Sequence, residues 1–480
     1  MSSGATRPVV GMSLLQAMDD PNLFASWFRD PETWAAWRAF LASLFALPMS
    51  DEEVLLFRQC TGRTSSPTLP FREAWLVCGR RSGKSFALAL IAVYLATFQD
   101  LRRFLAPGER ATILIIATDR RQARTIFRYI RALLFEVPML ARMVERETAD
   151  EFDLVNRVTV EVGTSSYRAV RGRTLAAALG DEIAFWPSED SASPDYEVLD
   201  ALRPALATIP GAMLLCASSP YARRGALYDA FKRYHGQDET SVLVWQAPTR
   251  IMNPTVPQAV VDAAMERDPA SARAEFMAVF REGLELLFRR EVVDAAVVPS
   301  RHELPPISGT RYVAFVDPSG GSADAMTLAV AHAEKDTIVL DAVRERRPPF
   351  SPEVVTAEFA TTLKAYGLKT VTGDRYGGEW PRERFRVHGI EYVLAEKPRS
   401  DLYRDALPLL NSGKVELLDL PRLAAQLCGL ERRTARGGRD SIDHAPGQHD
   451  DLANAVAGCL ASLQGANDRR IGIGTVLGLY

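Results

Sequence analysis

Between residues 74 and 246 the chain alternates short, wholly apolar runs with longer segments of helical period. The runs are AWLVCG, ATILIIAT, RVTVEVG, TLAAALGD, AMLLCASS and SVLVWQA. Runs that are apolar at nearly every position predict strands covered on both faces, and strands alternating with helices predict a parallel sheet with helices packed on it. The stretch before residue 70, with Trp27, Trp34, Trp37 and the segment DEEVLLFRQ, predicts helices, as does NPTVPQAVVDAAMERDPASARAEFMAVF after the last strand. Residues 297–310, VVPSRHELPPISGT, are proline-punctuated and read as the connection between two domains. A second unit then opens with RYVAFVDPSGG and MTLAVAHAEKDTIVLDAVRE, a hairpin turning at Lys335 and Asp336. A helix near residues 352–366, the strand KTVTGD and a last helix DDLANAVAGCLASL make this unit a mixed α/β one, while GANDRRIGIGTVLGLY reads as a flexible tail. The expected organisation is a helical segment 1–50, a first domain 51–250, a helical subdomain and linker 251–308, a second domain 309–464 and a tail 465–480.

Composition narrows the class. A chain of 480 residues with 47% hydrophobic and 24% charged residues is a soluble globular protein of more than one domain. A formal charge of −3 excludes a globally basic nucleic-acid coat but not a local basic groove. The 5 cysteines are odd in number and scattered, so neither a disulfide framework nor a structural zinc is expected, and the compartment is a reducing one. The apolar stretch FALALIAVYLATF is shorter than the roughly 20 residues needed to cross a bilayer, and the N-terminus lacks a secretory layout. No membrane partner is expected.

The candidate chemistry of the first domain begins at WLVCGRRSGKSFALAL, a strand, a Gly/Ser loop and a helix. Gly79, Arg80, Arg81, Ser82, Gly83, Lys84 and Ser85 form a candidate phosphate loop. Backbone N–H groups would cradle ATP, Lys84 would reach the β- and γ-phosphates, and the Ser85 hydroxyl would ligate Mg²⁺. Gly79 stands one residue late for the usual G-x-x-x-x-G-K-[ST] spacing, with Cys78 in the glycine's place. TLAAALGDEIAFWP delivers Asp181 and Glu182 to a strand end, where a carboxylate suits Mg²⁺ and a glutamate can polarise the attacking water. AMLLCASS brings Ser218 and Ser219 to the same edge of the sheet. The strand ATILIIAT ends in a polar loop with Asp119 and Gln122, and of the arginines that follow one could serve as a finger. Gln59 could read an adenine edge or be ordinary surface.

The second unit carries acids at strand and helix ends: Asp317, Asp374, and Asp450 with Asp451. Carboxylates there are costly unless paired or metal-bound. Their order, first strand, later strand and final helix, matches an RNase H-like arrangement holding two Mg²⁺ or Mn²⁺ ions about 4 Å apart. Either Asp450 or Asp451 could be the ligand, the other serving the helix terminus.

The series RRSGKS, Asp181-Glu182, SSP, DPSGG, GD and HDDLANA resembles that of the large subunit of tailed-virus terminases, from about residue 51 to about residue 463. An arginine at Arg80 in a deviant loop belongs to the same resemblance. It implies a RecA-like ATPase of the additional-strand, catalytic-glutamate kind joined to an RNase H-like nuclease. It further implies double-stranded DNA, a terminase small subunit and the portal protein of the procapsid as partners, a homo-oligomeric ring when docked, and a place in the host bacterial cytoplasm, transiently at the portal vertex. Under it Lys84 and Ser85 bind phosphate and Mg²⁺, Asp181 holds Mg²⁺, Glu182 is the base, Ser218 and Ser219 couple hydrolysis to motion, and Asp317, Asp374, Asp450 and Asp451 serve the nuclease metals. The alternatives are a helicase–nuclease of repair or recombination, and an assembly ATPase with an inert second domain.

Overall fold

The structure, a computed structural model, describes residues 11–164, 173–186, 194–282, 284–322, 324–374, 379–433, 441–445 and 448–476, with side chains as far as residue 464. Two compact units divide at Glu282.

The first unit is built on strands β1 (Glu73–Cys78), β2 (Ala111–Ala117), β3 (Val144–Glu147), β4 (Glu151–Leu154), β5 (Val158–Thr164), β6 (Leu175–Asp181), β7 (Met213–Ser218) and β8 (Val242–Ala247). Their order in the sheet is β3-β4-β5-β2-β6-β7-β1-β8. From β5 to β8 every pairing is parallel, as the apolar runs require; β3 and β4 add an antiparallel edge that charged residues such as Glu145, Arg146 and Glu147 had hidden. An additional strand, β7, lies between β1, which leads into the candidate phosphate loop, and β6, which ends at Asp181. The helix Lys84–Phe98 has almost no polar face because it is packed against the sheet and under other helices. Of the expected segment 1–50, the described residues 11–50 do not stand apart: Trp37 and Phe40, on the helix Pro31–Leu44, are buried in this same core, Phe40 edge-on to Trp245 with ring centroids 5.5 Å apart.

The second unit contains β9 (Leu284–Leu286), β10 (Tyr312–Asp317), β11 (Met326–Glu334), β12 (Thr337–Arg346), β13 (Thr370–Gly373), β14 (Glu391–Leu394), β15 (Val415–Glu416), β16 (Leu430–Arg433) and β17 (Ser441–His444). The main sheet runs β14-β13-β10-β11-β12-β15. The antiparallel ladder β10-β11-β12 stands on one side of β10 and the parallel pair β13-β14 on the other, which is the RNase H-like order. The helix Asp451–Val476 crosses this sheet closely enough that a Cβ on Gly458 would lie 2.2 Å from the Phe315 ring, so only glycine fits there.

Three expected boundaries are corrected. Residues 297–310 do not join the units; they belong to the second. Prolines keep them out of a ladder, but extended backbone still pairs locally: Val298 N–H donates to Leu417 O (3.0 Å), Leu304 N–H to Asp341 O (2.8 Å) and Ser300 N–H to an Asp419 carboxylate oxygen (2.8 Å). The helical subdomain 251–308 is accordingly split, its first part belonging to the first unit and residues 284–308 to the second. The last helix is assigned to Val476, past the expected end near residue 464; extending an existing helix needs no new nucleus. Of the expected tail, residues 477–480 lie outside the described residues.

A C-terminal fragment begun at residue 284 retains Phe288, which is fully buried, and the β9-β16 pairing, whereas one begun at residue 310 loses both. The shorter fragment should be the less stable by at least about 3 kcal/mol in urea unfolding, the cost of emptying a phenylalanine site. Equal midpoints and slopes would place residues 284–309 outside the folded unit.

Candidate nucleotide and metal sites

In the first unit, β1 leads into the loop at Gly79, whose N–H donates to Ala247 O (3.2 Å). A Cβ on Gly79 would stand 2.2 Å from Thr249 Oγ1, which gives the late glycine its physical reason. The loop then turns through two left-handed residues, Arg81 (φ 64°) and Gly83 (φ 96°). Its carbonyls are held from outside. Trp37 Nε1 donates to Ser82 O (2.8 Å), Thr249 Oγ1 to Arg80 O (2.7 Å) and Asn253 Nδ2 to Arg81 O (2.8 Å), while the Arg80 guanidinium pairs with Glu275 (3.1 Å). Gly83 caps the helix Lys84–Phe98 without a side-chain acceptor, leaving the first N–H groups for an anion.

Lys84 is buried, its Nζ donating to Cys78 O and Gly79 O (both 3.2 Å) and lying 3.3 Å from Glu182 Oε1. The Ser85 hydroxyl donates to Asp181 Oδ2 (2.8 Å), and Gln122 Nε2 donates to both Ser85 Oγ (2.9 Å) and Asp181 Oδ2 (2.8 Å). Asp181 Oδ1 is buried with no hydrogen-bond partner. Burial, then the neighbouring Glu182 charge, pushes the Asp181 carboxyl from its ordinary 3.8 up to about 6, against Gln122, Lys84 and Ser85. A buried orphan oxygen beside the phosphate-loop serine fits a divalent cation.

Glu182 holds a left-handed backbone (φ 51°), a strained conformation for a residue with a side chain, and Trp186 Nε1 pins the preceding carbonyl of Asp181 (2.9 Å). Glu182 Oε2 accepts from Ser218 Oγ (3.1 Å), Ser219 N (3.1 Å) and Ser219 Oγ (3.4 Å). The register of β6 against β7, which sets Asp181 beside Ala217, brings these partners level. So the loop, Asp181, Glu182, Ser218 and Ser219 form one constellation. Gln59 is exposed on the helix Asp51–Thr61, and no described hydrogen bond joins it to the loop. Arg120, Arg121, Arg124, Arg128 and Arg131 are exposed on the helix Arg120–Phe135 and form a solvated face.

In the second unit, the parallel register that pairs Val316 with Gly373 carries Asp317 and Asp374 out of the sheet side by side, and Asp374 N–H donates to Val316 O (3.3 Å). On the other side of β10, Thr327 lies opposite Asp317, and its Oγ1 donates to Asp451 O (2.7 Å). The helix start is thereby bound to the same sheet edge. Asp451 Oδ2 accepts from Ala325 N (3.3 Å). Burial moves the Asp451 carboxyl up to about 6, opposed by His449 and reinforced by the Asp450 and Asp324 charges. Asp317 rises well above the usual carboxylate range through burial, opposed by a hydrogen bond from Asn454 and reinforced by the charges of Asp451, Asp374 and Asp450. Asn454 is fully buried; its Nδ2 also reaches Asp374 Oδ2 (3.4 Å), and its Oδ1 has no hydrogen-bond partner.

Asp450 is placed differently. Its Oδ1 accepts from Arg399 Nη1 (3.0 Å) and its Oδ2 from Tyr403 Oη (2.8 Å). It does not cap the helix with its side chain: Gln426 Oε1 takes Leu452 N (2.8 Å) and Ala453 N (3.1 Å). Among the described residues no three His, Cys, Asp or Glu side chains form a ready-made metal cage. The donor set still suits Mg²⁺ or Mn²⁺, which take carboxylate and amide oxygens and keep several waters.

Sequence reasoning had noticed Gln122 without giving it a role. Trp37 it read only as part of a helix, and Thr249, Asn253, Glu275, Arg399, Tyr403, Gln426 and Asn454 it passed over. Only Asn454 carried a local signal, standing one helical turn after the Asp450–Asp451 pair.

No family model and no curated protein matches the chain. Among solved structures it is similar to the large terminase of bacteriophage HK97, at 16% identity over 82% of this chain and 91% of that one, with a TM-score of 0.36. It is also similar to a large terminase from a thermophilic bacteriophage, solved in complex with ADP, at 15% identity over 87% of this chain and 100% of that one, with a TM-score of 0.37. The large terminase nuclease of the thermophilic phage G20c with bound magnesium matches at 16% identity over 35% of this chain and 94% of that one, with a TM-score of 0.32. What this chain does therefore rests on its own residues.

Because the folded state raises the Asp181 pKa, the nucleotide- and metal-free protein binds an extra proton relative to the unfolded chain between about pH 4 and about 6. Asp181 thus makes stability fall as pH rises through that window. The Asp181→Asn variant should show a shallower decline when urea unfolding is followed from pH 4 to 6.5. An unchanged slope would mean that Asp181 ionises normally in the fold.

Proposed function

We propose that this chain is the large subunit of a tailed-virus terminase, an ATP-hydrolysing DNA motor and a metal-dependent endonuclease on one polypeptide. The observation that carries the reading is the pair of constellations it holds. Lys84, Ser85, Asp181, Glu182, Ser218 and Ser219 gather at one edge of a parallel sheet, and Asp317, Asp374 and Asp451 gather at one edge of an RNase H-ordered sheet. The order of these motifs along the chain supports terminase over a helicase–nuclease of repair or recombination, which would carry a second RecA-like domain. Double-stranded DNA, a small subunit, the portal and a ring of copies are the partners this reading brings, in the host cytoplasm and at the portal vertex. No helix among the described residues is long and apolar enough to cross a membrane.

The geometry suggests how hydrolysis proceeds. Lys84 Nζ is 3.3 Å from the Glu182 carboxylate. A γ-phosphate is the stronger partner for the ammonium group, and its arrival frees Glu182 to accept a proton from water. Ser218 and Ser219 hold the other glutamate oxygen, so reorienting Glu182 pulls on β7. Ser85 and Asp181 would hold Mg²⁺, which neutralises the phosphate charge. In the second unit Asp317, Asp374 and one acid of the Asp450–Asp451 pair would hold Mg²⁺ or Mn²⁺, which would stabilise the attacking and leaving oxygens of the phosphodiester. The protein's part is to exclude water from these acids and fix them at a rigid sheet edge.

Lys84→Ala should abolish ATP turnover. Glu182→Gln should bind nucleotide with near-parental affinity and lose turnover, read by fluorescent-nucleotide binding beside phosphate release. Collapse of binding in Glu182→Gln would make Glu182 a structural residue.

For the nuclease, Asp317→Ala and Asp374→Ala should each eliminate plasmid cleavage in Mn²⁺ and leave ATPase activity near parental. Cutting should need added metal, stop with chelator and show little sequence preference, because phosphate contacts carry no base information. Cleavage that persists with both acids replaced would turn the second unit into an inert scaffold.

A further inference from the structure

The two adjacent acids at the start of the last helix have opposite surroundings. Asp450 is 2% exposed, and both its oxygens are taken: Oδ1 by the Arg399 guanidinium (3.0 Å) and Oδ2 by the Tyr403 hydroxyl (2.8 Å). Arg399 is itself fixed at its other end, Nη2 donating to Asp443 Oδ1 (3.0 Å), and Tyr403 is fully buried. His444 Nε2 stands a further 4.0 Å from Asp450 Oδ1. Asp451, one residue on, has a single backbone N–H on Oδ2, and its carbonyl is tied to Thr327, the strand partner of Asp317.

We propose that Arg399 and Tyr403 are positioning residues that hold Asp450 out of the metal set, so that Asp451, with Asp317 and Asp374, is the helix-borne ligand of the nuclease ion. The inference rests on the metal-nuclease reading above and says which of its carboxylates are used. Each Asp450 oxygen already has a strong donor, and Arg399 neutralises its charge without an ion. Asp450 lends its charge to bracing the Arg399-bearing helix Arg399–Asn411 against the last helix, while Asp451 keeps its charge available at the sheet edge. Tyr403 stays protonated and donating, because burial and the Asp450 charge hold its hydroxyl well above the ordinary tyrosine range.

The test is Mn²⁺ binding to the full chain without nucleotide, followed by the electron paramagnetic resonance signal of the free ion. Asp317→Asn sets the level expected when the site is lost. Asp451→Asn should weaken binding to that level, about tenfold or more. Asp450→Asn should remain within about twofold of the parent, and so should the double variant Arg399→Met/Asp450→Asn, which removes both charges and leaves neither buried alone. Arg399→Met alone frees the Asp450 carboxylate and should tighten Mn²⁺ binding, a gain that no merely structural role for Arg399 produces; Arg399→Lys should restore the parental value. Loss of Mn²⁺ in the double variant to the Asp317→Asn level, with Asp451→Asn unaffected, overturns the assignment and leaves the metal reading standing. If Asp317→Asn itself binds Mn²⁺ as the parent does, the metal reading falls and this proposal with it.

Discussion

Both candidate sites depend on one constraint, a carboxylate carried to the end of a strand that is buried on both faces. β6 is wholly buried from Leu175 to Asp181, and β10 brings Asp317 to the equivalent place in the second unit. An ionised carboxylate there loses its water, and the protein replaces that water only in part. Asp181 receives two side-chain donors on one oxygen and none on the other; Asp317 receives one amide and three neighbouring negative charges. Each is therefore under-compensated, and a divalent cation fits the chemistry of both places.

The two units solve the supporting problem differently. In the first, the phosphate loop is gripped through its carbonyls by side chains far away in sequence, Trp37 on one side and Thr249 and Asn253 on the other. Gripping carbonyls leaves the N–H groups at the helix start available to an anion, while those of Gly79 and Arg80 are bonded to Ala247 O and Glu275 O, and it makes the loop shape independent of the usual first glycine. Rigidity comes from the surroundings and not from the motif. In the second unit the acids are aligned by strand register and by the Thr327 bond to the helix start, so the sheet itself is the jig.

The first site is also self-paired. Lys84 and Glu182 neutralise each other, and Glu182 is clasped by Ser218 and Ser219. A buried ammonium group and a partly buried carboxylate at this strand end each lower the cost of the other's charge. The pair thus links the helix after β1 to the ends of β6 and β7, which are neighbours in the sheet.

Much of this was legible in the residues themselves. All six apolar runs of the first unit became strands, because a run without polar breaks has only one cheap place to go. Asp181, Glu182, Lys84, Ser85, Asp317 and Asp374 could be singled out because polar groups at the ends of such runs are conspicuous. The sequence had no means to show which side chains would meet them. Trp37 lies 45 residues before its acceptor Ser82, and Arg399 lies 51 before Asp450; no period or spacing connects them. It also misplaced the boundary between the units, since prolines in residues 297–310 look like a linker whether or not the backbone finds partners, and Leu417, Asp341 and Asp419 supply them only in the folded chain. Asp450 and Asp451 are the sharpest case. They are identical in chemistry and adjacent in sequence, and only the tertiary structure separates them, by giving one an arginine and a tyrosine and leaving the other facing the acids of the sheet.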